Sequence, residues 1–272
     1  MNSFEKRCAE IRREVMEMVI HGRRGHIAPA FSIVEILSVL YDHIMNVRPH
    51  EPRWPDRDRF ILSKGHGCMS LYAILANKGY FSKELYKTFC KPEGILGGHP
   101  EEKVPGIEAP TGSLGHGLPI SVGFALAARL DGRSYRSFVI LGDGECNEGS
   151  VWEAALAASK HGLDNLVVLV DYNKYMSFGK TRDVCDMEPF ADKWRAFGFH
   201  TCEVDMVKEP ESLIQLLKGL PFTAGKPSAV ICHTIKGRGV PFMEGNLDWH
   251  HKSKIKDEEI REIMDHLERD HA

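Results

Sequence analysis

The sequence has 272 residues, 43% of them hydrophobic and 27% charged, with a formal net charge of −3 and seven scattered cysteines. This is the balance of an ordinary globular chain with room for one large α/β domain, and so small a negative charge gives no reason to expect nucleic acid or an anionic membrane as partner. The longest apolar runs, such as Leu166 to Val170, are too short to span a bilayer. The start MNSFEKRCAEIRREV is too charged for a secretory leader, and there is no Cys-x-x-Cys pair. Reduced thiols and a cytoplasmic location are therefore expected.

Residues 3–20 carry Phe4, Ile11, Val15, Met18 and Val19 at helical spacing and are expected to form an amphipathic helix. A glycine-broken loop, His21 to His26, follows. The next helix is expected over Ser32 to Ile44, with Ser32 as N-cap and Glu35 completing a capping box. Residues 47–58 are proline-rich and polar, hence a surface loop. Arg59 to Leu62 is a short strand running into Ser63-Lys64-Gly65-His66-Gly67, after which a helix is expected over Cys68 to Lys78. A histidine in a glycine turn between strand and helix is well placed to donate to an anion. Residues 91–117 form a long glycine- and proline-rich loop holding Gly98-His99-Pro100-Glu101 and Thr111-Gly112-Ser113-Leu114-Gly115-His116-Gly117; such loops in compact domains are commonly functional. A helix over Leu118 to Leu130 follows.

Residues 138–176 are the centre of the chain. Phe138 to Leu141 reads as a buried strand, Gly142-Asp143-Gly144 as a sharp turn, Gly149 to His161 as a helix with Val151, Trp152, Ala155, Leu156 and Ser159 on one face, and Leu166 to Val170 as a second strand ending in Asp171-Tyr172-Asn173. This is a βαβ unit, which predicts parallel strands and a right-handed crossover. The chain is therefore expected to be a doubly wound, mostly parallel α/β sheet flanked by helices, a single domain over 1–272. Asp143 and Asn173 would meet at the carboxyl edge of that sheet, where ligands bind. A carboxylate and an amide oxygen suit a hard cation such as Mg²⁺, and the glycines allow backbone N–H groups to approach a diphosphate. An EF-hand is excluded because Ala154 stands at its twelfth position, a dinucleotide fingerprint because Asn147 replaces its third glycine, and a P-loop because Lys174 stands where Gly179-Lys180-Thr181 needs a glycine. An ordinary turn in which Asp143 merely caps a helix stays open.

Beyond an irregular loop, Lys174 to Met187, a helix is expected over Met187–Phe197, a strand over His200–Val204, a helix over Glu209–Leu220 with Pro210 in its first turn, and a strand over Ser228–His233. That strand ends in Thr234-Ile235-Lys236-Gly237-Arg238-Gly239. Asp248-Trp249-His250-His251 follows, and the chain closes with an amphipathic helix, Lys256 to His271, bearing Ile260, Ile263, Met264 and Leu267.

In combination and in this order, His26 after Gly25, Ser63-x-Gly65-His66, Gly98-His99-Pro100-Glu101, Thr111-Gly112-x-Leu114-Gly115 and Gly142-Asp143-Gly144 with Asn173 resemble the thiamine-diphosphate-binding part of the transketolase family, over about residues 5–255. The resemblance implies that Asp143, Asn173 and the Tyr175 carbonyl hold Mg²⁺ (or Ca²⁺ or Mn²⁺) on the cofactor's diphosphate. It further implies that Gly112, Ser113 and Leu114 lie against the aminopyrimidine, and that His66 and His250 contact the diphosphate. Glu148 would lie at a subunit contact, and His26, His66, His99 and His250 would handle substrate oxygens and protons, as catalytic residues. Departures are His116 for the family's glutamine and His251 for its glycine. Lys64 and Arg238 stand near the site without an assigned role.

The resemblance reaches only the first third or so of a full transketolase. It implies the N-terminal subunit of a split enzyme that moves a two-carbon ketol unit between sugar phosphates. A separate C-terminal subunit would carry the pyrimidine-binding domain in an α2β2 assembly. The rivals are another thiamine enzyme (a 2-oxo-acid dehydrogenase α-subunit or a deoxyxylulose-phosphate-synthase-like chain) and a non-catalytic cofactor-binding module. Gly98-His99-Pro100-Glu101 and His250 speak against the first, and the intact Asp143, Asn173, His66 and His99 against the second.

Overall fold

Strands β1 (Arg59–Leu62), β2 (Ser137–Gly142), β3 (Leu166–Tyr172), β4 (His200–Asp205) and β5 (Ser228–His233) form one sheet in the order β1-β2-β3-β5-β4. The structure, a computed structural model, describes residues 1–269. All four strand pairings are parallel. The central strands β2, β3 and β5 are buried on both faces and read as near-continuous apolar stretches, as parallel strands covered by helices do, whereas edge strand β4 is largely open. Along β2, Phe138 and Ile140 enter one core while Val139 and Leu141 enter the other, the period-two alternation of a strand.

The first core is covered by α1 (Ser3–Gly22), α2 (Ile27–Phe31), α3 (Val34–Val39) and α4 (Cys68–Lys78). The second is covered by α5 (Gly117–Leu130), α6 (Gly149–Lys160) and, beyond the short α7 (Thr181–Val184), α8 (Phe190–Ala196). Helices α9 (Ser212–Lys218) and α10 (Asp257–Arg269) close the first side through Leu213, Leu217, Ile260, Ile263 and Leu267. The expected end of the last helix at His271 lies outside the described residues.

Four local expectations are corrected. The capping box at Ser32 does not form: the Ser32 hydroxyl donates to Asp171 Oδ2 (2.6 Å), and Glu35 instead accepts from Arg12 at 2.7 and 2.9 Å. Ser32 has helical backbone at the end of α2, and Ile33, not Ser32, stands at the N-cap of α3. The stretch Ile27–Ile44 is long and apolar enough to cross a membrane, with mean hydropathy 1.4, but 83% of it is buried; it is split between α2, α3 and a π-helical turn, Leu40–Ile44. Leu156 is 59% exposed, because α6 buries Val151, Ala154, Ala155 and Ala158, and the next position lies about 100° further round the helix. Pro210 precedes α9 rather than opening it.

Candidate functional site

The carboxyl ends of β1, β2, β3 and β5 converge on one edge, where a cavity of about 380 Å³ opens. The turn after β1 contributes Lys64 and His66, and the turn after β2 contributes Gly142, Asp143 and Gly144. Asn173, Tyr175 and Met176 follow β3, and Lys236 follows β5; His26, His99, Gly112, Leu114, Glu148 and His250 complete the wall. The register sets the meeting of the two motif ends: Gly142 pairs with Asp171 and Tyr172 with His233. A larger cavity, about 690 Å³, opens on the other side of Asp143 and Tyr172. It has walls of mixed charge (Lys180, Arg182, Glu188, Arg195) and none of the clustered imidazoles.

Five imidazoles gather here. The His26 ring centre lies 5.3 Å from that of His66, 6.0 Å from those of His99 and His250, and 4.5 Å from that of His251; His66 and His250 are 5.9 Å apart. A pair of backbone bonds between Gly25 and Lys252 (2.9 and 3.1 Å) brings His26 and His251 side by side. Burial, then neighbouring rings and the ammonium groups of Lys64 and Lys236, lowers the pKa of His26 to about 4. Burial and Lys236 lower that of His250 to about 3. Burial holds His66 and His99 below the ordinary value as well. At neutral pH these rings are uncharged, each with one donor and one acceptor nitrogen.

The oxygen donors expected to take a cation lie together. Asp143, 4% exposed, accepts from the Gly144 N–H (2.7 Å) and the Lys174 N–H (2.5 Å). Burial and then the like charge of Asp171 push its pKa up to about 7, against the opposing pull of its two backbone N–H donors and the Lys64 ammonium. Asn173 donates from Nδ2 to Asp171 (2.9 Å), which frees Oδ1 as an acceptor, here engaged by the Tyr175 N–H at 3.0 Å. A Cβ on Gly144 would stand 2.9 Å from Met176 Cβ, so glycine is needed for this close turn. Asp143 and Asn173 are buried, and the carbonyl of half-buried Tyr175 accepts from Lys236 Nζ at 3.2 Å; one carboxylate, one amide oxygen and one carbonyl suit a hard cation that takes its other ligands from phosphate and water. Among the described residues no group of three or more His, Cys, Asp or Glu side chains stands ready to hold a metal by itself.

Behind this wall, Asp171 is fully buried and accepts from Lys64 Nζ, Ser32 Oγ (2.6 Å), Thr234 Oγ1 and Asn173 Nδ2. Burial raises its pKa, but the Lys64 charge and these hydrogen bonds outweigh that and hold it below the ordinary value. Glu145, 2% exposed, ties three turns together by accepting from Ser63 Oγ, the Gly115 N–H (2.8 Å) and the Gly142 N–H (3.0 Å).

Of the residues singled out from sequence, His26, His66, His99, His250, Gly112, Leu114, Gly142, Asp143, Gly144, Glu148, Asn173 and Tyr175 all line the one cavity. Ser113 is exposed and does not line it, and His116 is exposed at the start of α5. Arg238 is held away from it by the carbonyls of Met206 and Val207 and by Glu35. Three residues carry roles that spacing did not reveal: Lys64, Glu145 and Lys236. Each lies in a strand-end turn already marked by glycines, the one signal that pointed toward them.

Comparison with known proteins agrees with this geometry. Residues 4–271 match the family described as transketolase, thiamine diphosphate binding domain. The chain belongs to the transketolase family. It is 40% identical over 272 residues to an apulose-4-phosphate transketolase subunit of Phocaeicola vulgatus, covering 99% of this chain and 96% of that one. It is 41% identical over 263 residues to a 6-deoxy-6-sulfo-D-fructose transketolase subunit of Clostridium sp., covering 96% and 95%. The transketolase from Leishmania mexicana superposes with TM-score 0.86 at 29% identity, over 99% of this chain but only 45% of that one. This transketolase chain thus has the extent of a split-enzyme subunit, and its fold is the thiamine-diphosphate-binding α/β fold.

Proposed function

We propose that this transketolase chain is the diphosphate-binding subunit of a two-chain enzyme. The enzyme transfers a two-carbon ketol unit from a ketose to an aldose, with substrates bearing an anionic end group such as phosphate. It uses thiamine diphosphate and a divalent cation, Mg²⁺ first among Mg²⁺, Ca²⁺ and Mn²⁺. The partner is a separate chain carrying the pyrimidine-binding domain, in an α2β2 assembly working in the cytoplasm. The observation that carries this is the convergence of Asp143, Asn173 and four expected histidines on one cavity in a chain of subunit length.

Asp143, Asn173 and the Tyr175 carbonyl would hold the cation, and His66 and His250 would donate to diphosphate oxygens. When bound, thiamine diphosphate supplies the carbon centre that breaks and remakes a carbon–carbon bond; the protein binds and orients. His26 and His99 are the outer rings of the cluster and, being neutral, offer donors to sugar hydroxyls and acceptors for their protons. Leu114 and Glu148 stand on the wall where the partner would close the site.

The test is calorimetric titration of the chain with thiamine diphosphate and Mg²⁺, alone and with the partner subunit. Cation-dependent binding that strengthens with the partner is expected, along with its loss, by at least about 100-fold, in Asp143→Ala, a charged ligand group with no substitute. Wild-type affinity in Asp143→Ala would overturn the cation assignment. Absence of binding in every combination would overturn the cofactor assignment.

A further inference from the structure

His251 is an imidazole that the proposed site does not use. It stands where the family pattern has glycine, and it is exposed. Its backbone is fixed from both sides. The Gly25 N–H donates to the Lys252 carbonyl (2.9 Å) and the Lys252 N–H to the Gly25 carbonyl (3.1 Å). Trp249 and Ile255, each 6% exposed, anchor the segment in the first core. Lys252 is held over the Trp249 ring at 4.3 Å and by Glu259 at 2.9 Å. The ring is therefore carried on an anchored segment, as a group that selects by position must be.

The ring meets the histidine cluster from its outer side. Its centre is 4.5 Å from that of His26, nearer than His66 (5.3 Å), His99 (6.0 Å) or His250 (6.0 Å). His26, His66 and His250 are partly buried, whereas His99 and His251 are exposed. His26 thus lies between an inner pair, His66 and His250, and an outer pair, His99 and His251. The His250 ring meets Ser177 Oγ at 3.2 Å; among the described residues the ring nitrogens of His251 have no hydrogen-bond partner. In either protonation state an imidazole has at least one donor to offer. A long molecule with its reacting end at the inner pair passes His26 and reaches the outer pair with its far end.

We propose that His251 is a specificity-determining residue. It donates a hydrogen bond to an oxygen on the outer half of an aldose acceptor, beyond the hydroxyls that His26 and His99 reach, and so favours sugars that extend past the cavity mouth over two-carbon aldehydes. This rests on the proposed function and adds a residue to the same site.

The experiment measures two-carbon transfer by the two-chain enzyme with thiamine diphosphate and Mg²⁺. The long acceptor is the better used of D-erythrose 4-phosphate and D-ribose 5-phosphate; the short one is glycolaldehyde, which has no outer half. In His251→Gly the ratio of kcat/KM for the long acceptor to that for the short one should fall about five- to tenfold, the worth of one hydrogen bond. The fall should appear chiefly in KM, and His251→Gln, which keeps a donor, should recover part of it. A merely structural role would lower both acceptors together, so an unchanged ratio in His251→Gly would overturn the proposal, as would transfer by wild type to glycolaldehyde alone. In wild-type NMR spectra the His251 ring resonances, assigned through their contacts with His26, should shift on addition of the sugar phosphates and not of glycolaldehyde. Unmoved resonances would overturn the proposal even if the variants do not fold. Absence of transfer to every acceptor in wild type would sink the proposed function, and the ring shifts would still show whether His251 meets the sugar.

Discussion

Asp171 carries a charge at a position with no access to water. Removing an ion from water costs several kcal/mol even after relaxation, and only a close counter-charge with further hydrogen bonds offsets it. Here Lys64, Ser32, Thr234 and Asn173 supply them. Lys64→Met should lower unfolding free energy by about 3–5 kcal/mol, measured by denaturant titration, with the Lys64→Met/Asp171→Asn double variant less damaged than Lys64→Met alone. Equal losses would show that the pair is not coupled. His26 offers a pH test. Its folded pKa, about 4, lies below the ordinary value of 6.5. The neutral ring therefore adds stability that is present above pH 6.5 and lost as the pH falls toward 4, because the unfolded chain takes up the proton first. In thermal melts the wild type should lose ground to His26→Gln across that window. Parallel curves would contradict the buried neutral ring.

At the scale of single elements, strands and turns were the most legible. Short apolar runs bounded by turn residues placed all five strands within two residues of their observed ends, and each functional turn follows one of them or leads into a helix. Gly115 shows why glycine stands there. Its φ is +83°, and an added Cβ would lie 2.5 Å from Ser150 Oγ and 2.7 Å from Glu148 Cβ. Gly115→Ala should cost about 1–3 kcal/mol from backbone strain alone and displace Glu148, read as a lowered Tm with weaker partner binding. A Tm within error of wild type would show that the turn is not strained. Helix signals were less faithful. Ser32 and Glu35 have the spacing of a capping box, but each is taken by a distant partner, Asp171 and Arg12. Leu156 sits at a plausible apolar position yet faces outward, since small alanines let α6 approach the core on its other side.

Across the whole molecule, one cavity is assembled from segments as far apart in sequence as His26 and His250, and the sheet edge is what brings them together. Exposed apolar side chains, Leu114 at 36% and Phe178 at 87%, stand on the same wall. In the proposed assembly these are covered by the partner. A ligand bound only by the folded state at 100 times its Kd stabilises it by about 2.7 kcal/mol. Thiamine diphosphate with Mg²⁺ should therefore raise the Tm of the two-chain mixture by several degrees and that of the isolated chain by less. An equal shift in both would show that this chain holds the cofactor without help.

Sequence by itself determined the parallel α/β class, the strand-end turns and the meeting of Asp143 and Asn173 at one sheet edge, while the four histidines were singled out through the resemblance to the transketolase family. Those features of the sheet are local: short apolar runs, glycine where backbones approach, and chemistry at strand ends. Tertiary structure alone decided which charges are buried and with whom. Lys64 pairs with Asp171, Glu145 gathers three turns, Lys236 abuts His250, and His251 joins His26 through the Gly25–Lys252 bridge. A lysine or glutamate in a glycine turn has the same sequence signature whether it is solvated or buried, and only the fold supplies the partner that makes burial affordable.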